Sequence, residues 1–179
     1  IAGNGWAETA GTLGAIRLQN NARIGGAVTL DGNARIAAYN STGYIDGPIG
    51  GNYQLEKDFS GTLYLLNDNN TYGATLISAG NLQIGTNGTS GMPGRGAITF
   101  GNTTSLLIFS RSDAVTWTNQ ILGGAFLNKQ GTGTLKLDPA GNQLGRTLRV
   151  DVDQGTLDLN GSTNTIQAIM GDWLGVVTN

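Results

Sequence analysis

One short phrase returns along this chain: a glycine followed by alternating apolar and polar residues. It occupies residues 61–65, 80–84, 133–137 and 155–159. Alternation with a period of two is the pattern of a β-strand, and glycine accepts the backbone conformations that a tight corner requires. Recurrence of such a unit in a chain with almost no helical pattern is typical of a β-solenoid, in which each coil stacks on the one below. The phrase therefore predicts an extended surface rather than a single cleft.

The repetition is also long-ranged. An offset of 72 residues carries Gly61 onto Gly133 and Lys57 onto Lys129, and the register slips by three within residues 149–154. The same offset matches Asn70, Gly73 and Leu76 with Asn142, Gly145 and Leu148. We therefore expect a single solenoid domain over residues 1–179, made of two degenerate units at 14–85 and 96–161. A Gly-rich loop at 85–96 joins the units, and residues 1–13 and 162–179 form the end segments.

Period-two alternation predicts a series of short strands separated by Asn, Asp and Gly corners. Coils of roughly 20 to 25 residues would make about eight coils from this chain. Leu, Ile, Val and Phe are expected to point inward and to stack in columns at ~4.8 Å, with Thr, Asn, Gln and charged residues outside. The predicted strands are residues 15–18, 27–30, 34–38, 62–66, 75–77, 81–84, 97–100, 106–109, 114–118, 134–137, 147–152, 156–159 and 165–169.

Composition narrows the function. The chain has no cysteine and no histidine, which removes a disulfide framework, a thiolate metal site and the commonest general base. A net charge of −2 gives no electrostatic attraction to nucleic acid. No apolar run is long enough for a membrane helix, so this segment is not expected to insert into a membrane. No basic stretch and apolar run open the chain at Ile1, and we expect a mature piece or a part of a longer protein.

Three stretches carry a resemblance to a known family. They are residues 61–85 (GTLYLLNDNNTYGATLISAGNLQIG), 129–137 (KQGTGTLKL) and 155–161 (GTLDLNG). Together they resemble the passenger-associated β-strand repeat of bacterial autotransporters, over residues 14–161. The resemblance implies an all-β, right-handed parallel β-helix that is exported through the outer membrane and displayed or released outside. It also implies an extracellular or bacterial outer-membrane surface location, and the lack of cysteine is consistent with it.

The best acidic cluster is Arg149, Asp151 and Asp153. If Leu148, Val150 and Val152 point inward, these three charged side chains share the outer face of one strand. Asp158 is expected close by, on the next coil. Carboxylates beside a guanidinium on a β-helix are how polysaccharide lyases hold calcium and neutralise a uronate, and hard cations prefer oxygen ligands. Against this, adjacent charges on a solvated strand are ordinary, and the slip in the repeat places this cluster in an insertion.

Other candidate groups fall at corners and ends. Glu56, Lys57 and Asp58 are expected at a solvated corner, with only the lysine kept between the two units. The loop at 85–96, with Met92, Pro93 and Arg95, is either a binding loop or a flexible excursion. Trp6 and Trp173 lie near the two ends and are expected to cap the open edges of the solenoid.

Aromatic residues in or beside the strands suggest either a platform for a glycan or cover for the sheet. Tyr64 alternates with Leu63 and Leu65 and is expected to face outward, whereas Trp117 is expected to face inward. The candidate aromatic set is Tyr39, Tyr44, Tyr53, Tyr64, Tyr72 and Trp117.

Taken together, these patterns favour a non-catalytic extracellular scaffold that serves display, adhesion or host-ligand binding. No catalytic, cofactor-binding or metal residue is assigned, and no cofactor is expected. The expected partners are a host or matrix surface protein or glycan, and further copies of the chain, because solenoid ends can stack into fibres. The alternative is a calcium-dependent polysaccharide lyase centred on Arg149, Asp151 and Asp153.

Overall fold

The structure is a computed structural model, and it describes residues 1–9, 11–124, 126–140, 143–144 and 149–179. The repeat partners Asn142, Gly145 and Leu148, and the start of the predicted strand 147–152, lie outside the described residues. Within the described residues there is no helix, and only one strand pair is antiparallel. All other strand pairs are parallel.

Short strands separated by corners make up the fold. In chain order they are β1 (Ala7–Glu8), β2 (Gly11–Thr12), β3 (Ile16–Leu18), β4 (Ala22–Ile24), β5 (Val28–Thr29), β6 (Ala34–Ala38), β7 (Thr42–Ile45), β8 (Ile49–Gly50), β9 (Leu55–Asp58), β10 (Thr62–Leu65), β11 (Thr75–Ile77), β12 (Asn81–Gly88), β13 (Ile98–Phe100), β14 (Leu106–Arg111), β15 (Val115–Trp117), β16 (Ile121–Leu122), β17 (Phe126–Gln130), β18 (Thr134–Leu137), β19 (Arg149–Asp158) and β20 (Ala168–Thr178).

Each coil crosses up to three faces in turn. Face 1 contains β4, β7, β10, β12, β14, β17 and the first halves of β19 and β20. Face 2 contains β5, β8, β15, β18 and the second halves of β19 and β20. Face 3 contains β3, β6, β9, β11, β13 and β16. Since face 1 stacks eight strands in parallel, the predicted β-solenoid of about eight coils is confirmed.

The predicted columns of inward side chains are present. On face 1, register pairs Leu63 with Leu82, Leu82 with Leu107, Leu107 with Leu127 and Leu127 with Val150. All five side chains are fully buried. Because parallel strands in register place like residues one above another, the hydrophobic core is a continuous stack along the axis.

The repeated phrase does not mark one column, however. Leu63 lies on face 1, where it pairs with Leu82, whereas Leu135 lies on face 2 between Val115 and Leu157. Copies of the phrase that lie one coil apart do stack, as Leu63 does on Leu82 and Leu135 on Leu157, but the copies 72 residues apart lie on different faces. Every face of a solenoid demands the same alternation of inward and outward residues after a corner, so the phrase identifies a strand without identifying its face.

The glycine that opens the phrase has a steric role at these corners. A Cβ at Gly61 would overlap the Ser41 carbonyl oxygen, and one at Gly133 would overlap the Asp113 carbonyl oxygen. In each case the clashing backbone belongs to the coil below. Glycine at this position therefore allows two coils to approach closely at a corner.

Lys57 is a core residue, not part of a solvated corner as its sequence suggested. It stands in an inward column between Ile36 and Ile77 and is fully buried. Its ammonium donates to the carbonyl oxygens of Asp58 at 3.0 Å, Phe59 at 2.6 Å and Ala79 at 2.7 Å. The first two acceptors turn the corner and the third lies on the next coil, so this side chain ties adjacent coils together.

Lys129 repeats the arrangement on face 1. It is fully buried in the column between Phe109 and Val152. Its ammonium donates to the carbonyl oxygens of Gln130 at 2.8 Å, Gly131 at 2.8 Å and Gln154 at 3.0 Å. Three carbonyls satisfy the three donors of an ammonium, which is the condition for burying such a group.

The two ends of the stack differ. At the head, the antiparallel hairpin β1–β2 precedes the first coil, in which Leu18 is buried and Ile16 and Ile24 are partly buried. At the tail, β20 pairs only with β19 among the described strands. Trp6 and Trp173 were expected to cap these ends, but they are 84% and 100% exposed. Neither indole therefore covers the core.

Candidate functional site

The Arg149 cluster has the predicted orientation. Val150 and Val152 are fully buried, whereas Arg149, Asp151 and Asp153 lie on the outer side of β19. The Arg149 guanidinium binds Asp151 with two hydrogen bonds, Nε–Oδ1 at 3.0 Å and Nη2–Oδ2 at 2.7 Å. Such a bidentate pair uses both oxygens of the carboxylate. Arg149 and Asp151 are thus partners of each other.

The remaining carboxylates of this region also have local partners. Asn128 donates to Asp153 Oδ2 at 2.8 Å. Asp158 does not lie on the next coil, as the sequence suggested; it lies further along β19, past the corner onto face 2, and approaches Lys136 at 3.7 Å. The register slip did not reveal that β19 is one long strand bent through a corner. In the part of the chain that is described, no group of three or more acidic residues is arranged to hold a metal ion.

The outward tyrosines form a stack. Tyr64 faces outward, as predicted, between buried Leu63 and Leu65. The rings of Tyr44 and Tyr64 lie 4.6 Å apart at 23°, and the Arg23 guanidinium lies 4.4 Å from the Tyr44 ring centroid. Because these rings pack against each other and the guanidinium, the inner ring faces are not free for a sugar. The stack holds three successive coils together.

Two other members of the aromatic set are buried. The Tyr72 hydroxyl lies 3.1 Å from Thr75 Oγ1, and the Trp117 indole donates to the Asn119 carbonyl at 2.8 Å. Trp117 also meets Phe109 edge to face at 5.6 Å. The inward prediction for Trp117 is confirmed. Tyr72 fills the core and contributes nothing to a surface platform.

The segment at 85–96 is held by Arg111. Strand β12 continues to Gly88, and Pro93 and Gly94 are buried. Arg111, itself only 5% exposed, satisfies all of its N–H groups against the segment and its surroundings. The acceptors are both oxygens of Asp113 at 2.8 Å, Asp68 Oδ1 at 2.5 Å, the Thr89 carbonyl at 2.5 Å and the Gly91 carbonyl at 3.0 Å. The segment is therefore held against the side of the solenoid by these hydrogen bonds.

A groove runs along the corner between faces 1 and 2, on the side of the Arg149 cluster. It has a volume of about 350 Å³, and its lining comes from β12, β14, β17, β19 and β20 or the residues that follow them. Five successive coils therefore contribute, and the groove runs parallel to the solenoid axis. Its lining residues are Asn87, Ser110, Gln130, Gly131, Asp153, Gln154 and Leu174.

A second depression of about 240 Å³ adjoins the groove and shares Asp153 with it. Asp151 and Asp172 also line this depression, so three acidic side chains lie beside the tail end of the groove. Sequence reasoning found Asp153 but missed the groove. Its lining comes from residues about one coil apart, at a corner, and no local motif marks them.

The chemistry of the groove is polar and nearly uncharged. Its side chains are amides, one hydroxyl, one carboxylate and one leucine. Asn87 is fixed in place because its Oδ1 accepts from the Thr132 backbone N–H at 2.9 Å. Amide groups both donate and accept hydrogen bonds, which suits a ligand rich in hydroxyl groups.

Fold and surface together define a parallel β-solenoid with an axial polar groove at one corner. No protein-family model, curated protein or solved structure matches the chain. Within the described part of the chain we find no helix with the length and apolarity that crossing a membrane requires.

Proposed function

We propose that this chain is a non-catalytic, extracellular β-helical passenger or scaffold module of a bacterial surface or secreted protein. Its role is display, adhesion and the binding of a host or matrix ligand. The resemblance of residues 61–85 to autotransporter passenger repeats supports the cellular setting. The stacked coils support the scaffold role, because a solenoid presents a long surface at fixed spacing.

The axial groove is the observation that carries the binding role. A groove built from five coils spaced at ~4.8 Å matches an extended ligand that lies along the axis. Its amides and hydroxyl match sugar hydroxyls better than they match a charged or apolar polymer. The ligand class we propose is therefore a linear, largely neutral glycan of a host or matrix surface.

The pairing within the Arg149 cluster supports a non-catalytic role. A lyase needs a carboxylate set for calcium and a cation for the uronate, yet Arg149 and Asp151 are bound to each other. Asp153 is bound by Asn128. The cluster stabilises the outer surface of β19 next to the groove.

Glycan-array screening followed by titration calorimetry tests the proposal. A double variant, Gln130→Ala with Gln154→Ala, removes amides from neighbouring coils of the groove, and we expect affinity to fall at least about tenfold. Gln120→Ala, at an exposed position outside the groove, is the matched control and should bind as the unmodified chain does. Binding unaffected by the double variant would contradict the groove assignment. Release of unsaturated sugars from a uronate polymer would contradict the non-catalytic role.

A further inference from the structure

A buried cation lies beneath the floor of the groove. Lys129 is fully buried, and its ammonium donates to the backbone carbonyls of Gln130 at 2.8 Å, Gly131 at 2.8 Å and Gln154 at 3.0 Å. All three acceptors are residues that line the groove. The ammonium therefore lies on the core side of the groove and contacts its backbone directly.

These hydrogen bonds set the direction of the peptide groups in the floor. In a planar trans peptide the N–H points opposite to the C=O, so a carbonyl that binds the ammonium turns the N–H of its peptide away from the core. The peptide between Gly131 and Thr132 shows the result. Its C=O accepts from Lys129, and its N–H donates to Asn87 Oδ1 at 2.9 Å. Lys129 is thus linked to a groove side chain through one peptide group.

This link fixes the orientation of the Asn87 amide. Its Oδ1 accepts from the backbone N–H of Thr132 at 2.9 Å and from the Thr132 hydroxyl at 3.3 Å. With the oxygen engaged, the NH2 group is the part of this amide that can donate to a ligand. A carbonyl that accepts from an ammonium polarises its peptide, which strengthens the N–H as a donor. The charge of Lys129 therefore strengthens the hydrogen bond that holds Asn87.

Lys129 also sets the relation between two glutamines on adjacent coils. Gln130 ends β17, and Gln154 lies in β19, the strand that pairs with β17. One ammonium binds the backbone carbonyls of both residues, so it fixes the separation of the two backbones at this point. The spacing of two groove amides thus depends on a side chain that is buried beneath them.

The other buried lysine makes the same hydrogen bonds away from the groove. None of the three acceptors of Lys57 lines the groove. In both sites the second acceptor has a left-handed backbone, with φ of 66° at Phe59 and 74° at Gly131. The Phe59 ring packs on Tyr39 with the ring centroids 5.1 Å apart, whereas Gly131 has no side chain. The glycine therefore leaves the corner above Lys129 open.

We propose that Lys129 is a positioning residue of the groove. Through three backbone carbonyls it holds Asn87, Gln130 and Gln154 in the arrangement that binds a ligand, and it does not touch the ligand itself. Its role in binding rests on the proposed function, whereas its effect on the groove can be measured without a ligand. The matched control is Lys57→Met, which removes the same kind of hydrogen bonds at a corner away from the groove.

Hydrogen exchange measured by NMR tests the positioning directly. In Lys129→Met the Thr132 N–H should exchange at least about tenfold faster than in the unmodified chain, because its peptide is no longer held. In Lys57→Met, which we expect to be destabilised to a similar extent, this rate should not change. Lys129→Gln keeps an NH2 donor and should show a smaller increase; it also serves if the methionine variant does not fold. An unchanged rate in the folded Lys129 variants, or an equal rise in Lys57→Met, would overturn the proposal.

Calorimetric titration with cellohexaose, a linear neutral oligosaccharide, tests the consequence for binding. Lys129→Met should bind this probe at least about tenfold more weakly, and Lys57→Met should bind it as the unmodified chain does. Asn87→Ala should also weaken binding. Its combination with Lys129→Met should weaken binding by less than the product of the two effects, because both changes act on the same amide.

The two measurements separate the role of Lys129 from the nature of the ligand. Full affinity in Lys129→Met would overturn its role in binding, even if Thr132 exchanged faster. Failure of the unmodified chain to bind cellohexaose would count against a neutral glycan as the ligand. The exchange rates would still decide whether Lys129 positions the groove.

Discussion

Lys57 and Lys129 occupy the same kind of buried site on two different faces of the solenoid. Each ammonium donates to the carbonyls one and two residues ahead of it and to one carbonyl on the next coil. Each also interrupts a column of apolar side chains. The two lysines therefore tie adjacent coils together from the inside. They are related by the 72-residue offset of the sequence repeat, although Lys57 lies on face 3 and Lys129 on face 1.

Replacing Lys57 with methionine should destabilise the fold. The methionine keeps the volume of the stem but leaves three partly buried carbonyls without their donor, and we expect a loss of about 1 to 3 kcal/mol. Urea denaturation gives the measurement. Lys136→Met, at a lysine whose side chain is 45% exposed, is the control and should change stability by less than about 0.5 kcal/mol. A gain in stability would show instead that an apolar column is preferred at this position.

Stability should rise with pH above neutrality. Burial lowers the pKa of Lys57 to about 7, against the opposing effect of the Asp58 carboxylate, and burial lowers the pKa of Lys129 to about 8. The ordinary value is 10.5, so above pH 7 the unfolded chain binds more protons than the native chain does. The free energy of unfolding then increases with pH, by up to about 1.4 kcal/mol per pH unit for each proton.

Urea midpoints between pH 7 and about 9, where tyrosine is still largely protonated, test this pH dependence. Lys57→Met and Lys129→Met should each flatten the profile, whereas Lys136→Met should keep the slope of the unmodified chain. A profile that is flat or falls across this window in the unmodified chain would contradict the burial of two ionisable ammonium groups.

Arg111 should control access of proteases to the segment at 85–96. Arg95 is an exposed trypsin site, but its backbone N–H is bonded to the Tyr72 carbonyl at 2.9 Å. Arg111→Met removes the ties to Thr89 and Gly91, so we expect local opening and cleavage after Arg95 at least about tenfold faster. Limited trypsinolysis with mass spectrometry measures the rate. Arg149→Met, which removes an arginine from the outer surface, should not change cleavage at this site.

The corner glycines should not tolerate alanine. Gly133→Ala places a methyl group against the Asp113 backbone of the coil below, and overpacking of this kind costs about 1 to 3 kcal/mol. Gly88 is the matched control, because a Cβ there meets no atom within 4 Å. Thermal denaturation of the two variants should separate them clearly. Equal stability would mean that the coils move apart at the corner without cost.

The alternation of side chains was enough to predict the class of fold and many of the strands. Residues 34–38, 75–77 and 134–137 were predicted with the bounds that the structure shows. Strands β9 and β17 were missed because a lysine stands at an inward position in each, which breaks the apolar pattern. Strand β7 was missed because Gly43 takes the inward place that Leu63 takes on the next coil.

The end of the chain was predicted less well. A strand was expected at residues 165–169, but β20 spans Ala168–Thr178. Its outward and inward residues are both apolar, so no alternation marks it. The groove was also beyond local patterns. Its lining residues are spread along the sequence between Asn87 and Leu174, and only the stacking of coils brings them together.

The placement of Leu63 on face 1 and Leu135 on face 2 has a consequence for how such chains lengthen. A duplicated stretch does not have to contain a whole number of coils, because all three faces of the solenoid accept the same kind of strand. The natural unit of insertion is therefore the stretch of chain from one corner to the next. Insertion of one third of a coil moves the residues that follow it onto the next face of the solenoid. Their outward side chains then point in a different direction about the axis.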